Sequence, residues 1–170
     1  MSGDNAKYPQ SERETAAIDA LDRRILARWQ NDTRRAAERI GEEIGLSAAA
    51  VQRRLKRLRA NGVIEHETAT LNAHALGYPV TCLVGVDLLQ ERNEHIKAFK
   101  QSMLKLPEVQ QCYYVTGEYD FILVVVCRDL SEYEHFTQQS IMSDDNVRSF
   151  TTWVTLDKVK TSVRLPLTMD

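Results

Sequence analysis

A basic first third patterned as short helices, an acidic remainder whose strand and helix patterns alternate β-α-β-β-α-β, and one middle strand apolar on both faces together predict an α+β protein. The expected architecture is an N-terminal winged helix-turn-helix followed by a ferredoxin-like βαββαβ domain. Charge marks the division. Residues 15–65 carry eleven Arg and Lys against seven Asp and Glu, a net +4. Residues 66–170 carry nine against fourteen, a net −5. Such asymmetry suggests two modules with different partners. The expected divisions are a polar tail over 1–14, the winged helix-turn-helix over 15–70, a hinge over 71–79 and the second domain over 80–170.

The first module is read from its periodicity. Ile18, Leu21, Ile25, Leu26 and Trp29 recur on one helix face. The "NDT" at 31–33 breaks that helix, and Thr33 is expected to cap a second one through Ala37, Ile40 and Ile44. Gly45-Leu46 reads as a tight turn and Ser47 as the cap of a third helix, with Val51, Leu55 and Leu58 as its inner stripe. Asn61-Gly62 supplies left-handed residues to end it, and "VIEHETATL" (63–71) is strand-like in content, as a wing would be.

The third helix gathers Arg53, Arg54, Lys56, Arg57 and Arg59, with Arg39 just upstream. With Val51 set at 0°, residues Ala49, Ala50, Arg53, Lys56 and Arg57 fall at roughly 140–260°, away from the stripe. Small alanines permit close approach to another surface, and arginines fork onto phosphates or guanine edges. A solvated basic helix has the same look. Almost no carboxylates interleave along this helix, however, and Thr33, Arg34 and Arg35 add donors at the start of the preceding one. Double-stranded DNA is therefore the expected partner.

In the second module, "VTCLVGVDLL" (80–89) alternates, with Val80, Cys82, Val84, Val86 and Leu88 on one face. Asn93 is expected to cap a helix through Ile96, Phe99, Met103 and Leu106 that stops before Pro107. "VQQCYYVT" (109–116) and "DFILVVVC" (120–127) read as strands. "SEYE" (131–134) reads as a capping box opening a helix through Tyr133, Phe136 and Ile141, and "VRSFTTWVTL" (147–156) as the last strand. A ferredoxin-like sheet has helices on one face only, yet Leu83, Leu89 and Trp153 lie opposite the expected core. The economical cover for such an apolar patch is a second subunit's sheet.

The loop "TGEYD" (116–120) joins the middle strands. Amides around Gly117 are expected to form an anion-binding nest, with Glu118 and Asp120 as acceptors for an ammonium. That combination suits an amino-acid zwitterion, while a plain hairpin turn with solvated acids has the same spacing. Cys82, Cys112 and Cys127 are odd in number and set in apolar runs, as free thiols of a reducing cytoplasm would be. No metal-ligand spacing is present in the sequence, and no apolar stretch approaches the roughly 20 residues that span a bilayer.

The motifs "LDRRIL", "GLSAAAVQRRLKRLRANGVI", "LGYP", "VTGEYDFIL" and "TLDKVKTSVRLPL" together resemble the Lrp/AsnC family, the leucine-responsive and asparagine-responsive transcription regulators, from about residue 17 to 167. The resemblance implies a sequence-specific DNA-binding regulator, not an enzyme, with no cofactor or metal. It implies control by a small-molecule effector, usually an amino acid, held between subunits near Thr116–Asp120. It also implies homodimers that assemble into tetramers or octamers. The expected DNA-contact residues are Thr33, Arg34, Arg35, Ser47, Ala49, Ala50, Gln52, Arg53, Arg54 and Arg57. The expected effector residues are Thr116, Gly117, Glu118, Tyr119, Asp120, Ser149, Thr151 and Thr152, with Glu118 at a variable motif position. Siroheme decarboxylases resemble the same two-module architecture and stand as the enzymatic alternative, but the four histidines here are scattered. An effector-independent architectural DNA-binding protein is the third.

Overall fold

The computed structural model describes residues 18–167, so the polar tail expected over residues 1–14 lies outside the described residues. The chain divides into two units, one running to Ala69 and resuming at Ser162, the other spanning Thr70–Thr161. The tail past Ser162 thus belongs with the first unit rather than with the sheet domain, as the division at 80–170 had it. There, Gln30 exchanges two 3.0 Å bonds with the backbone of Leu165, and Arg164 reaches Asn31 at 2.6 Å.

In the first unit α1 spans Ala20–Trp29, α2 Ala37–Ile44 and α3 Ala48–Ala60. Their core joins Ile25, Trp29, Ile40, Ile44, Val51 and Leu55. Asp19 caps α1 through a reciprocal capping box with Asp22. Ser47 caps α3 as expected, its Oγ accepting from Ala50 N–H at 3.2 Å. Thr33 does not cap α2. The helix begins after Ala36 with no side-chain cap, because the polar run folds on itself first, Asp32 accepting from Arg34 N–H at 3.0 Å.

Gly45 ends α2 at φ 76°. Gly41 lets the turn close, since a Cβ there would lie 2.3 Å from the Leu46 carbonyl oxygen. At the end of α3 only Gly62 is left-handed, and Val63 N–H reaches the Leu58 carbonyl at 2.9 Å in a Schellman arrangement. The wing strand expected over 63–71 is not formed. Residues 63–79 hold no strand, because among the described residues the first unit provides no second strand for that segment to pair with.

In the second unit the order is β1 (Val80–Leu88), α4 (Asn93–Met103), β2 (Val109–Tyr114), β3 (Phe121–Cys127), α5 (Leu130–Phe136) with a π-turn over Thr137–Ile141, and β4 (Val147–Val154). The sheet is antiparallel in the order β2-β3-β1-β4, the ferredoxin-like arrangement. Cys82, Val84, Val86 and Leu88 face Ile96, Phe99, Met103, Tyr133 and Phe136 across the buried side. Two helix starts shift by a residue or two from expectation. Arg92, not Asn93, precedes α4 and offers no side-chain cap, and Asp129, not Ser131, caps α5 by accepting from Glu132 N–H at 2.8 Å.

Candidate nucleic-acid interface and effector loop

The stripe of Val51, Leu55 and Leu58 is buried, so the opposite side of α3 faces outward. Ala49, Gln52, Arg53 and Lys56 are exposed along it, and Ala50 is half-buried. Ser47 spends its hydroxyl on the cap, and Thr33 and Arg34 stand exposed before α2.

Arg54 and Arg57 do not point freely away from the core. Arg54 donates to Asp19 at 2.6 Å and to Asp22 at 2.8 Å, and its side chain is only 20% exposed. Arg57 pairs with the other oxygen of Asp22. Arg59 pairs with Glu67 at 2.7 Å and lies over the Trp29 ring, and Arg35 pairs with Glu43. Three of the five cations of α3, Arg54, Arg57 and Arg59, are paired with carboxylates at the start of α1 and in the segment after α3, which a scan along one helix does not see. Among them Asp22 is wholly buried, although the apolar periodicity of this segment places Ile18, Leu21, Ile25, Leu26 and Trp29 inward and not Asp22. The Arg54 guanidinium beside Asp19 holds that carboxyl below the usual carboxylate range, and the pairing raises Arg54 in turn.

The loop over 115–120 folds back over the side of the sheet that carries no helices. The Tyr119 ring lies over Gly85 in mid-β1, where a Cβ would come within 2.8 Å of ring carbons. Its hydroxyl donates to Thr151 Oγ1 at 3.0 Å, and it meets Trp153 edge-on with centroids 5.6 Å apart. Gly85 was not singled out in the sequence. A glycine inside an alternating strand, where close backbone approach is the usual reason, was the signal for it.

Asp120 is anchored at both ends of its peptide, its N–H to Val86 O at 3.0 Å and its carbonyl to Val115 N–H at 2.9 Å. Its Oδ2 accepts from Leu88 N–H at 2.7 Å. Among the described residues Oδ1 has no partner, and the amides of Thr116, Gly117, Glu118 and Tyr119 donate to none. The nest expected at Gly117 is not formed, since its φ of 149° is far from the left-handed helical value of about 57° that a nest requires.

On β4, Ser149 and Thr151 sit opposite Asp87 and Gly85, on the loop's side of the sheet. Thr152 does not join them. It lies on the helix-covered side, bonded to the Tyr133 hydroxyl, because neighbouring strand residues face opposite ways. The three cysteines are free, and burial pushes the Cys127 thiol up to about 11. Among the described residues no cluster of His, Cys, Asp and Glu is arranged to hold a metal ion, and no helix is long and apolar enough to cross a membrane.

Residues 18–59 match the AsnC-type helix-turn-helix domain and residues 81–165 the Lrp/AsnC ligand binding domain. An HTH-type transcriptional regulator of Sinorhizobium fredii is 40% identical over 150 residues, covering 88% of this chain and 89% of that protein. The leucine-responsive regulatory protein of Rhizobium meliloti is 32% identical, over 88% of this chain and 96% of that protein. The crystal structure of a Neisseria meningitidis transcriptional regulator in complex with L-methionine superposes with a TM-score of 0.82. It shares 26% identity and covers 89% of this chain and 97% of that one. These relatives are regulators rather than enzymes, which disfavours the decarboxylase-like alternative. With a DNA-binding and a ligand-binding domain matched in order, the chain belongs to the Lrp/AsnC family of effector-modulated transcription regulators.

Proposed function

We propose that this regulator reads double-stranded DNA with α3 and changes its DNA affinity on binding an amino acid at the loop Thr116–Asp120. In this reading Gln52 and Arg53 reach base edges near the start of α3, and Arg57, Thr33, Arg34 and Arg35 serve the phosphates. Arg54 serves the fold. The protein acts as a homodimer, with the helix-free sheet face carrying Leu83 and Trp153 packed against its copy. Tetramers or octamers build on that dimer. The effector lies where Thr116, Gly117, Glu118, Tyr119, Ser149 and Thr151 border the copy.

The observation that carries the effector reading is a half-engaged carboxylate beside a run of unpaired amides at the rim of an uncovered apolar sheet. An ammonium suits the open Oδ1 of Asp120, and a carboxylate suits the amides of 116–119. L-Methionine, held by the Neisseria meningitidis regulator, is the first candidate.

Asp120→Asn tests this. The amide oxygen keeps the bond to Leu88 N–H while the charge is lost. Calorimetric titration with L-methionine, and with whichever other amino acids raise the melting temperature of the wild type, is expected to show affinity falling by about 1.5–3 kcal/mol. DNA affinity without effector stays near wild type. A normal effector affinity would remove Asp120 from the site, and a lowered melting temperature with unchanged effector affinity would make it a structural turn residue.

A further inference from the structure

Asp22 is a carboxylate with no solvent exposure at all, inside a three-helix unit, and both of its oxygens are taken by cations of α3. Oδ1 accepts from Arg54. Oδ2 accepts from Arg57 and from Asp19 N–H at 3.2 Å. The two arginines differ in what remains to them. Arg54 is spanned between Asp19 and Asp22 and 20% exposed, so it is consumed in tying α3 to α1. Arg57 is 47% exposed and holds Asp22 through Nη2 alone, and its Nε and Nη1 have no partner among the described residues.

We propose that Asp22 is a positioning residue for DNA binding, gripping one edge of the Arg57 guanidinium so that the other is aimed at a phosphate of the DNA backbone. Burying a carboxylate is costly unless it is paired, and a hydrophobic residue at this place would serve a merely structural role at least as well. A planar guanidinium with five donors can hold a carboxylate and an incoming phosphate oxygen together, which an ammonium on a flexible stem does poorly. Arg57 lies one helical turn beyond Arg53, away from the N-terminal residues of a recognition helix that meet base edges. Its ligand is therefore the sequence-independent backbone. The proposal rests on α3 being the DNA-reading helix.

The test uses the full chain and fluorescence anisotropy, with a selected DNA site and a random duplex, across a salt series. Arg57→Ala is expected to weaken binding to both duplexes alike and to flatten the slope of log affinity against log salt by about one unit. Asp22→Asn is expected to do the same, although it removes a negative charge, and the double variant to be no weaker than Arg57→Ala alone. Arg57→Lys, which keeps the charge, is expected not to restore binding. Tighter binding by Asp22→Asn would make the acid a mere neutraliser, and losses that multiply in the double variant would mean independent roles. Either overturns the proposal. If Asp22→Asn melts below the assay temperature, wild-type affinity in Arg57→Lys overturns it in the same way. Arg53→Ala separates the layers. Weakened binding there with multiplying losses at Asp22 and Arg57 removes only the proposal, whereas unchanged binding removes the placement of α3 in the groove as well.

Discussion

Aspartate placed at both Leu83 and Trp153 is expected to turn the assembled protein into folded monomers. The two side chains are direct cross-strand neighbours on the helix-free side of the sheet and are 40% and 46% exposed in the isolated chain. Substitution there therefore leaves the core of Cys82, Val84, Val86 and their partners intact. In a dimer that packs this side against its copy, each aspartate would bury a charge without a partner, at several kcal/mol per ion. Two per subunit exceed the roughly 8 kcal/mol of a micromolar association. Light scattering at micromolar concentration, beside a circular dichroism melt, reads the result. A variant that stays oligomeric would place the interface elsewhere.

Gly85→Ala is expected to abolish effector response while leaving a DNA-binding protein. The added methyl falls 2.8 Å from the Tyr119 ring, well inside contact distance. The ring must lift, which breaks its bond to Thr151 and its edge contact with Trp153. Overpacking of this kind costs about 1–3 kcal/mol of stability. The larger effect is on the loop, which loses the anchor that pre-orders Thr116–Asp120 for a ligand. A fall of tenfold or more in effector affinity, about 1.4 kcal/mol, is expected from calorimetry. Tyr119 and Trp153 also join the effector loop to the face proposed for dimerisation, so the effector's influence on assembly is expected to weaken in the same variant. Wild-type effector affinity in Gly85→Ala would show that the seat of Tyr119 does not order the loop.

The architecture was legible because it is written in periodicity. Alternation on β1, the doubly apolar β3 and the helical spacing of Ile96, Phe99 and Met103 are local signals of where side chains face. What escaped the reading was long-range. Asp22 looks like an ordinary polar residue of α1 until Arg54 and Arg57 arrive from more than thirty positions away. Gly85 looks like a weak spot in a strand until Tyr119 folds onto it. Thr152 was grouped with Thr151 through the family resemblance, although a strand sends neighbours to opposite sides. The caps at Ala36, Arg92 and Asp129 differ from expectation for a related reason. Several polar residues compete at each helix start, and which one caps is decided by the path of the incoming chain.

The most direct test of the account is the DNA affinity of the full chain for a site selected from its own genome, measured by anisotropy with and without each of the twenty amino acids. Effector and DNA affinities are linked reciprocally through one coupling energy. At least one amino acid, L-methionine first among them, is predicted to shift the dissociation constant by about fivefold or more, and the shift is predicted to vanish in Asp120→Asn. Tight binding that no amino acid alters would contradict the account and leave an architectural DNA-binding protein in its place.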